Sequence, residues 1–225
     1  MVSNFLRDSW RFFENNFAAL AWIILPIAIP LEIIMALLSN TMADDSQAGL
    51  QILLIVVSLA ASAIYGAATI IYVDAAVGGE KVTPLQSWWA AKDIWAAYLL
   101  LSVLAMVVIV LGLSLLIVPG IYFAGKYAFA GFELVLNGQK PLESLQLSWT
   151  KTTGLMPCII GGGLIISALL YLPYFGIAEL LDTDAPAFIV FEALFNIVYA
   201  LFSSLYTIFA YRVYIDARQA AHPKD

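Results

Sequence analysis

Residues 97–118 read AYLLLSVLAMVVIVLGLSLLIV, apolar on every face whether the chain is coiled or extended. A helix apolar all round is either buried in a large core or crosses a membrane, and a crossing takes about 20 such residues. Six stretches of this kind can be read: 18–38, 50–77, 94–118, 120–136, 155–178 and 186–212. They leave too little chain for a separate soluble domain, so residues 1–225 read as a single transmembrane unit. The chain is 63% hydrophobic and 12% charged. Soluble domains run near 45–50% apolar and about 25% charged. One water-surrounded core cannot hide that excess, so lipid is the solvent. Transmembrane β-barrels need alternating apolar and polar positions, and the runs do not alternate. The expected fold is all-α and polytopic: six transmembrane helices as three helical hairpins, with amphipathic interfacial helices.

The basic residues set an orientation. Arg7 and Arg11 precede the first span, Lys81 and Lys92 separate spans two and three, Lys140 and Lys151 separate four and five, and Arg218 and Lys224 follow the sixth. The alternate connections carry Asp44, Asp45, Glu179, Asp182 and Asp184 and no Lys or Arg. Short basic loops stay in the cytoplasm, so both termini are predicted inside. The inner side then balances in charge, and most of the net −6 falls on the outer side. A balanced inner face argues against nucleic-acid binding and against simple electrostatic capture of anionic lipid.

A unit recurs. LRDSWRFFENNF begins at Leu6, LQSWWAAKDIWA at Leu85 and LQLSWTKTTGLM at Leu145. Aligned on the leucine, each places a tryptophan four residues on: Trp10, Trp89 and Trp149. Leu and Trp at that spacing share a helix face, and Trp favours the headgroup level. Each segment reads as a short helix lying on the inner membrane surface, with its Trp as interfacial anchor. Spans two, four and six each end near an acid: Asp74, Glu133 and Asp216. These inner-end acids could coordinate a cation or serve as interface charges, Asp216 facing Arg212 one turn away. The unit is therefore surface helix, span, turn, returning span, acid, and three units make six spans. Val-Pro-Gly at 118–120 predicts a tight middle turn.

Enzymatic signatures are scarce. His222 is the single histidine, which disfavours a His-based triad or a multi-His metal site, and no GxSxG, Walker-A or GxGxxG motif occurs. No catalytic residue, metal or cofactor is expected. Cys158 lies in a span and reads as a packing residue. GGG at 161–163 reads as a place of close helix approach, with a hinge or pore lining as the alternative. The informative groups are ionisable residues inside spans, which are costly there and either pair or line a wet cavity. Counting ~1.5 Å per residue from the outer turns puts Lys126, Glu32 and Glu192 at one depth, roughly 9–12 Å in. Asn196 follows Glu192 by one turn. Lys126, Glu32, Glu192 and Asn196 form the candidate intramembrane polar cluster, either a pocket in which Lys126 receives an anionic lipid group or a structural ion pair. Pro26 and Pro30 would loosen the first span beside Glu32.

RDSWRFFENNF at 7–17, IVPGIYFA at 117–124, LVLNGQKPLESLQLSWTKTTG at 134–154 and AYRVYIDARQ at 210–219 resemble the YciC family of bacterial inner-membrane proteins. They are similar more loosely to the membrane domain beside some glycerophosphoryl diester phosphodiesterases, whose catalytic domain has no counterpart here. The resemblance implies six spans in a bacterial inner membrane and carries no catalytic residue over. Function is expected to be non-enzymatic: a lipid- or envelope-related accessory protein whose partners are membrane lipids. The alternatives are a scaffold that binds another membrane protein, or a small-molecule or ion transporter. An apolar cavity between hairpins would favour lipid handling, and a packed centre would favour scaffolding.

Overall fold

The computed structural model describes residues 2–38, 48–182 and 185–221. Asp44, Asp45, Asp184, His222, Lys224 and Asp225 lie outside these residues. Among the described residues the regular structure is helical throughout: α1 (Val2–Leu38), α2 (Ala48–Val77), α3 (Pro84–Lys92), α4 (Trp95–Leu115), α5 (Ile117–Lys126), α6 (Ala130–Asn137), α7 (Pro141–Lys151), α8 (Met156–Ala178) and α9 (Pro186–Ala221). Five of them, α1, α2, α4, α8 and α9, are long and apolar enough to cross a membrane. Their outer faces fit that solvent. Leu115, Leu116, Ile117 and Val118, at the α4–α5 turn, are 69–78% exposed, an apolar surface water would not tolerate.

The stretch expected as a span over 120–136 is not one helix. It divides into α5 and α6, with residues 127–129 between them. Through the break the amides reach back only three residues in places, Ala128 N–H to the Gly125 carbonyl at 3.4 Å and Ala130 N–H to the Tyr127 carbonyl at 3.0 Å. The preceding turn is tight but falls before Val-Pro-Gly: Leu116 alone separates α4 from α5, and residues 118–120 lie in the first turn of α5, where Pro is tolerated. A Cβ on Gly112 would stand 3.0 Å from the Gly120 Cα. The two glycines let α5 fold back against α4.

The surface helices also differ from expectation. In the first unit there is no separate helix, because residues 2–25 contain neither Gly nor Pro and Leu6 through Trp10 run straight on into the 37-residue α1. In the third unit α7 does not lie across the bundle. It returns antiparallel along α6: Leu145 clusters with Leu134 and Ala130, Ser148 bonds Phe129, and Thr152 meets the Lys126 carbonyl. Ser144, Leu145, Ser148 and Thr152, at helical spacing, bury one face, and that face is what draws α7 inward. α3 packs against α2 and α1, burying Ser87 and Ala91. Its Trp88 indole donates to the Ile23 carbonyl at 3.0 Å, which ties α3 to α1.

Packing knits the chain near its two ends. α1 lies along α9, with the Arg212 guanidinium 5.6 Å over the Phe12 ring. Tyr72 donates to Asn16 at 2.8 Å. Leu20, Ile23, Val73, Phe129, Ile208 and Phe209 are almost fully enclosed in the main core. In lipid this core is held by close packing rather than by exclusion of water. Gly162 illustrates how close: the Phe209 ring occupies the space a Cβ would need, and Tyr206 sits over Gly163. GGG is thus a seat for two α9 rings.

Candidate functional site

α2, α4, α5 and α6 with the break between them, α8 and α9 line a central, half-open cavity of about 440 Å³. Its walls are apolar, from Leu101, Ala105, Ile109, Ile166 and Leu170, and its polar atoms are mainly hydroxyls, from Tyr98, Tyr127, Tyr199, Tyr206, Ser167 and Thr207. No charged side chain lines it. Among the described residues the Tyr98, Tyr127 and Tyr206 hydroxyls meet no hydrogen-bond partner, and none is sealed from the cavity. Apolar walls with a few convergent polar groups, in a volume of several hundred Å³, are what a small-molecule or lipid site consists of. α9 supplies much of the polar wall through Tyr199, Ser203, Tyr206 and Thr207, one stripe of an apolar helix.

The break in α5–α6 borders this cavity through Tyr127 and Ala128. Irregular backbone at membrane depth survives only where protein or a cavity satisfies it. Ser148 does this here. Its hydroxyl donates to the Lys126 carbonyl at 2.7 Å and accepts the Phe129 N–H at 3.1 Å. Thr152 donates to the Ser148 carbonyl at 2.8 Å.

Lys126 is held at the same joint, and its partners are not the carboxylates of Glu32 and Glu192. Its ammonium donates to the Trp149 carbonyl at 3.2 Å and to Thr153 Oγ1 at 3.0 Å. It lies 5.2 Å from the Trp149 ring and 5.7 Å from the Tyr122 ring, and the residue is 4% exposed. Among the described residues the ion pairs are Arg7 with Asp8 and Lys151 with Glu133, so Lys126 has no carboxylate partner. The carbonyls at the C-terminal, negative end of α7 and two aromatic faces take that place. The cluster therefore divides. Asn196 donates to Glu32 at 3.1 Å, and the Tyr174 hydroxyl donates to Glu192 at 3.4 Å. Glu32, Glu192 and Asn196 stand together without the lysine.

The inner-end acids have separate fates. Asp74 accepts from the Tyr211 hydroxyl at 2.6 Å. Glu133, 1% exposed, accepts from Lys151 at 2.6 Å and from Asn137 at 3.0 Å, and Asn137 also donates to Tyr214 at 2.9 Å. Tyr211 and Tyr214 of α9 thus tie together the ends of α2 and α6. Asp216 is exposed and makes no ion pair with Arg212, whose Nε is buried without a hydrogen-bond partner. The aromatic ring of Phe12 draws Arg212 away. Of the anchors, Trp89 is exposed on α3, Trp10 is exposed and donates to Glu14 at 2.7 Å, and Trp149 is turned partly toward Lys126. Cys158 is half-buried against the main core.

Sequence reading misses the tyrosines of the cavity and the bridging serine. The α9 stripe and the Ser144, Ser148, Thr152 spacing are both signals available in the sequence. No family model matches the chain, and no solved structure matches it.

Proposed function

We propose that this chain is a non-enzymatic, multi-pass protein of the bacterial inner membrane that holds an amphiphile, an acyl-bearing lipid, in the central cavity. The observation that carries the reading is the uncharged, hydroxyl-dotted cavity of about 440 Å³. A packed centre would have favoured a scaffold. Apolar walls accept a hydrocarbon chain, and the unpartnered Tyr98, Tyr127 and Tyr206 hydroxyls can donate to ester or alcohol oxygens. In this reading α5 and α6 together make a sixth, broken crossing, and the chain is three helical hairpins with both termini cytoplasmic. The basic connections support that orientation. The quoted motifs support membership of a YciC-like family.

The test is native mass spectrometry of the full chain released with its surrounding lipid. A lipid at defined stoichiometry is expected on the wild type. It should be lost when Ala105→Phe fills the cavity, and weakened when Tyr98→Phe and Tyr206→Phe are combined. A lipid load that none of these changes alters would overturn the reading.

A further inference from the structure

A second cavity, of about 680 Å³, opens between the ends of α6, α7 and α9. It is chemically unlike the first. Glu133, Asn137, Lys151, Tyr214 and Arg218 line it. α6 separates the two: Ala130 and Gly131 face the central cavity, whereas Phe129, Glu133 and Asn137 face this cleft. We infer that the cleft binds a phosphate group, gripped by Arg218 and Lys151.

The argument rests on which charges are already satisfied. Glu133 Oε1 takes Lys151 at 2.6 Å and Oε2 takes Asn137 at 3.0 Å. Glu133 is 1% exposed with both oxygens engaged, and its single negative charge cancels one of the two positive charges. Lys151 keeps two of its three N–H donors, and the Tyr214 ring, 5.8 Å from its ammonium, holds it at the cleft wall. Arg218 makes no ion pair among the described residues. The cleft is left with one net positive charge, carried by a guanidinium fork suited to two oxygens of one anion. A phosphate is tetrahedral and anionic and has oxygens enough for a guanidinium fork and an ammonium that line one cleft. The overall charge balance of this end does not oppose it, because the excess is local to the cleft.

Two sources share this chemistry, a lipid headgroup and a free phosphate. The full chain in a neutral detergent is titrated with inorganic phosphate against chloride at constant ionic strength, and separately with short-chain phosphatidylglycerol below its micellar concentration. Thermal unfolding is followed. Stabilisation by inorganic phosphate alone marks a site for free phosphate. Stabilisation by the lipid only marks a headgroup site. In either case Arg218→Glu is expected to weaken the apparent affinity by about tenfold or more. Arg218 is exposed and among the described residues makes no ion pair, so that variant is expected to fold. Lys92→Glu, which changes net charge equally on α3, a helix that contributes no residue to the cleft, should leave affinity unchanged. No stabilisation by either probe, or stabilisation that survives Arg218→Glu, overturns the inference. Ala105→Phe should not affect it, so failure here and failure of the lipid-holding reading are separate results.

Discussion

The Ser148 hydroxyl accepts the Phe129 N–H at 3.1 Å, closing a gap in one helix with a side chain from another. The same oxygen donates to the Lys126 carbonyl at 2.7 Å. Ser148→Ala orphans the Phe129 N–H in an apolar setting, at about 1–3 kcal/mol, and leaves the Lys126 carbonyl only the longer bond from Thr152 at 3.4 Å. The expected result is a large loss of stability in unfolding by denaturing detergent. Amide exchange should rise first at residues 127–130. Unchanged exchange there would mean the break does not depend on Ser148.

Lys126 supports the same joint through the end of α7. Lys126→Ala removes the bonds to Trp149 and Thr153 and leaves a void between two aromatic rings, so folded yield should fall. Lys126→Met keeps the stem against those rings and should retain more of the fold. Lys126 and Glu32 make no contact, so their substitutions should add to within about 0.5 kcal/mol in a double-mutant cycle. A coupling above about 1 kcal/mol would show that they meet after all. Loss of bound lipid in both Lys126 variants at normal yield would point the same way.

Gly162 is fixed by the ring of Phe209. Gly162→Ala puts a methyl group where that ring lies, and overpacking of this kind costs about 1–3 kcal/mol. Gly161, with nothing near its Cβ position, is the internal control. Gly161→Ala should leave thermal stability unchanged or slightly raised. Equal effects at the two positions would mean the run acts as a flexible hinge rather than a seat.

Five of the six expected spans fall on helices long and apolar enough to cross a membrane, because unbroken apolar runs of that length permit little else. The first and third of the recurring segments share one feature: Ser9 and Ser148, each just before its tryptophan, are both fully buried, while Trp10 and Trp149 are partly exposed. The break at 127–129 is not legible, because what permits it is a hydroxyl some 20 residues away. Depth counting gives a level along a helix and not a face, so it does not foresee that the Lys126 ammonium turns to the end of α7. It serves better for Glu32 and Asn196, which sit on the unbroken α1 and α9 and do meet. The cavity tyrosines escape a search for ionisable groups because tyrosine is neutral and common in membrane helices.

The Glu133–Lys151 pair couples α6 to α7 at the wall of the charged cleft. Glu133 is buried, while the Lys151 side chain is 44% exposed, so removing either partner has unequal consequences. Lys151→Ala leaves a carboxylate enclosed beside Asn137 and Tyr214 with no cation, a loss that approaches about 3 kcal/mol for a fully buried pair. Water entering where Lys151 stood lowers that figure. Glu133→Gln leaves an exposed lysine free to turn outward and should cost less. The combination of Glu133→Gln with Lys151→Met should recover most of the stability lost in Lys151→Ala, since an unpaired charge is the main damage. Thermal unfolding of the four proteins reads this directly. A double variant as unstable as Lys151→Ala would show that the lysine stem, not the ion pair, holds α7 against α6.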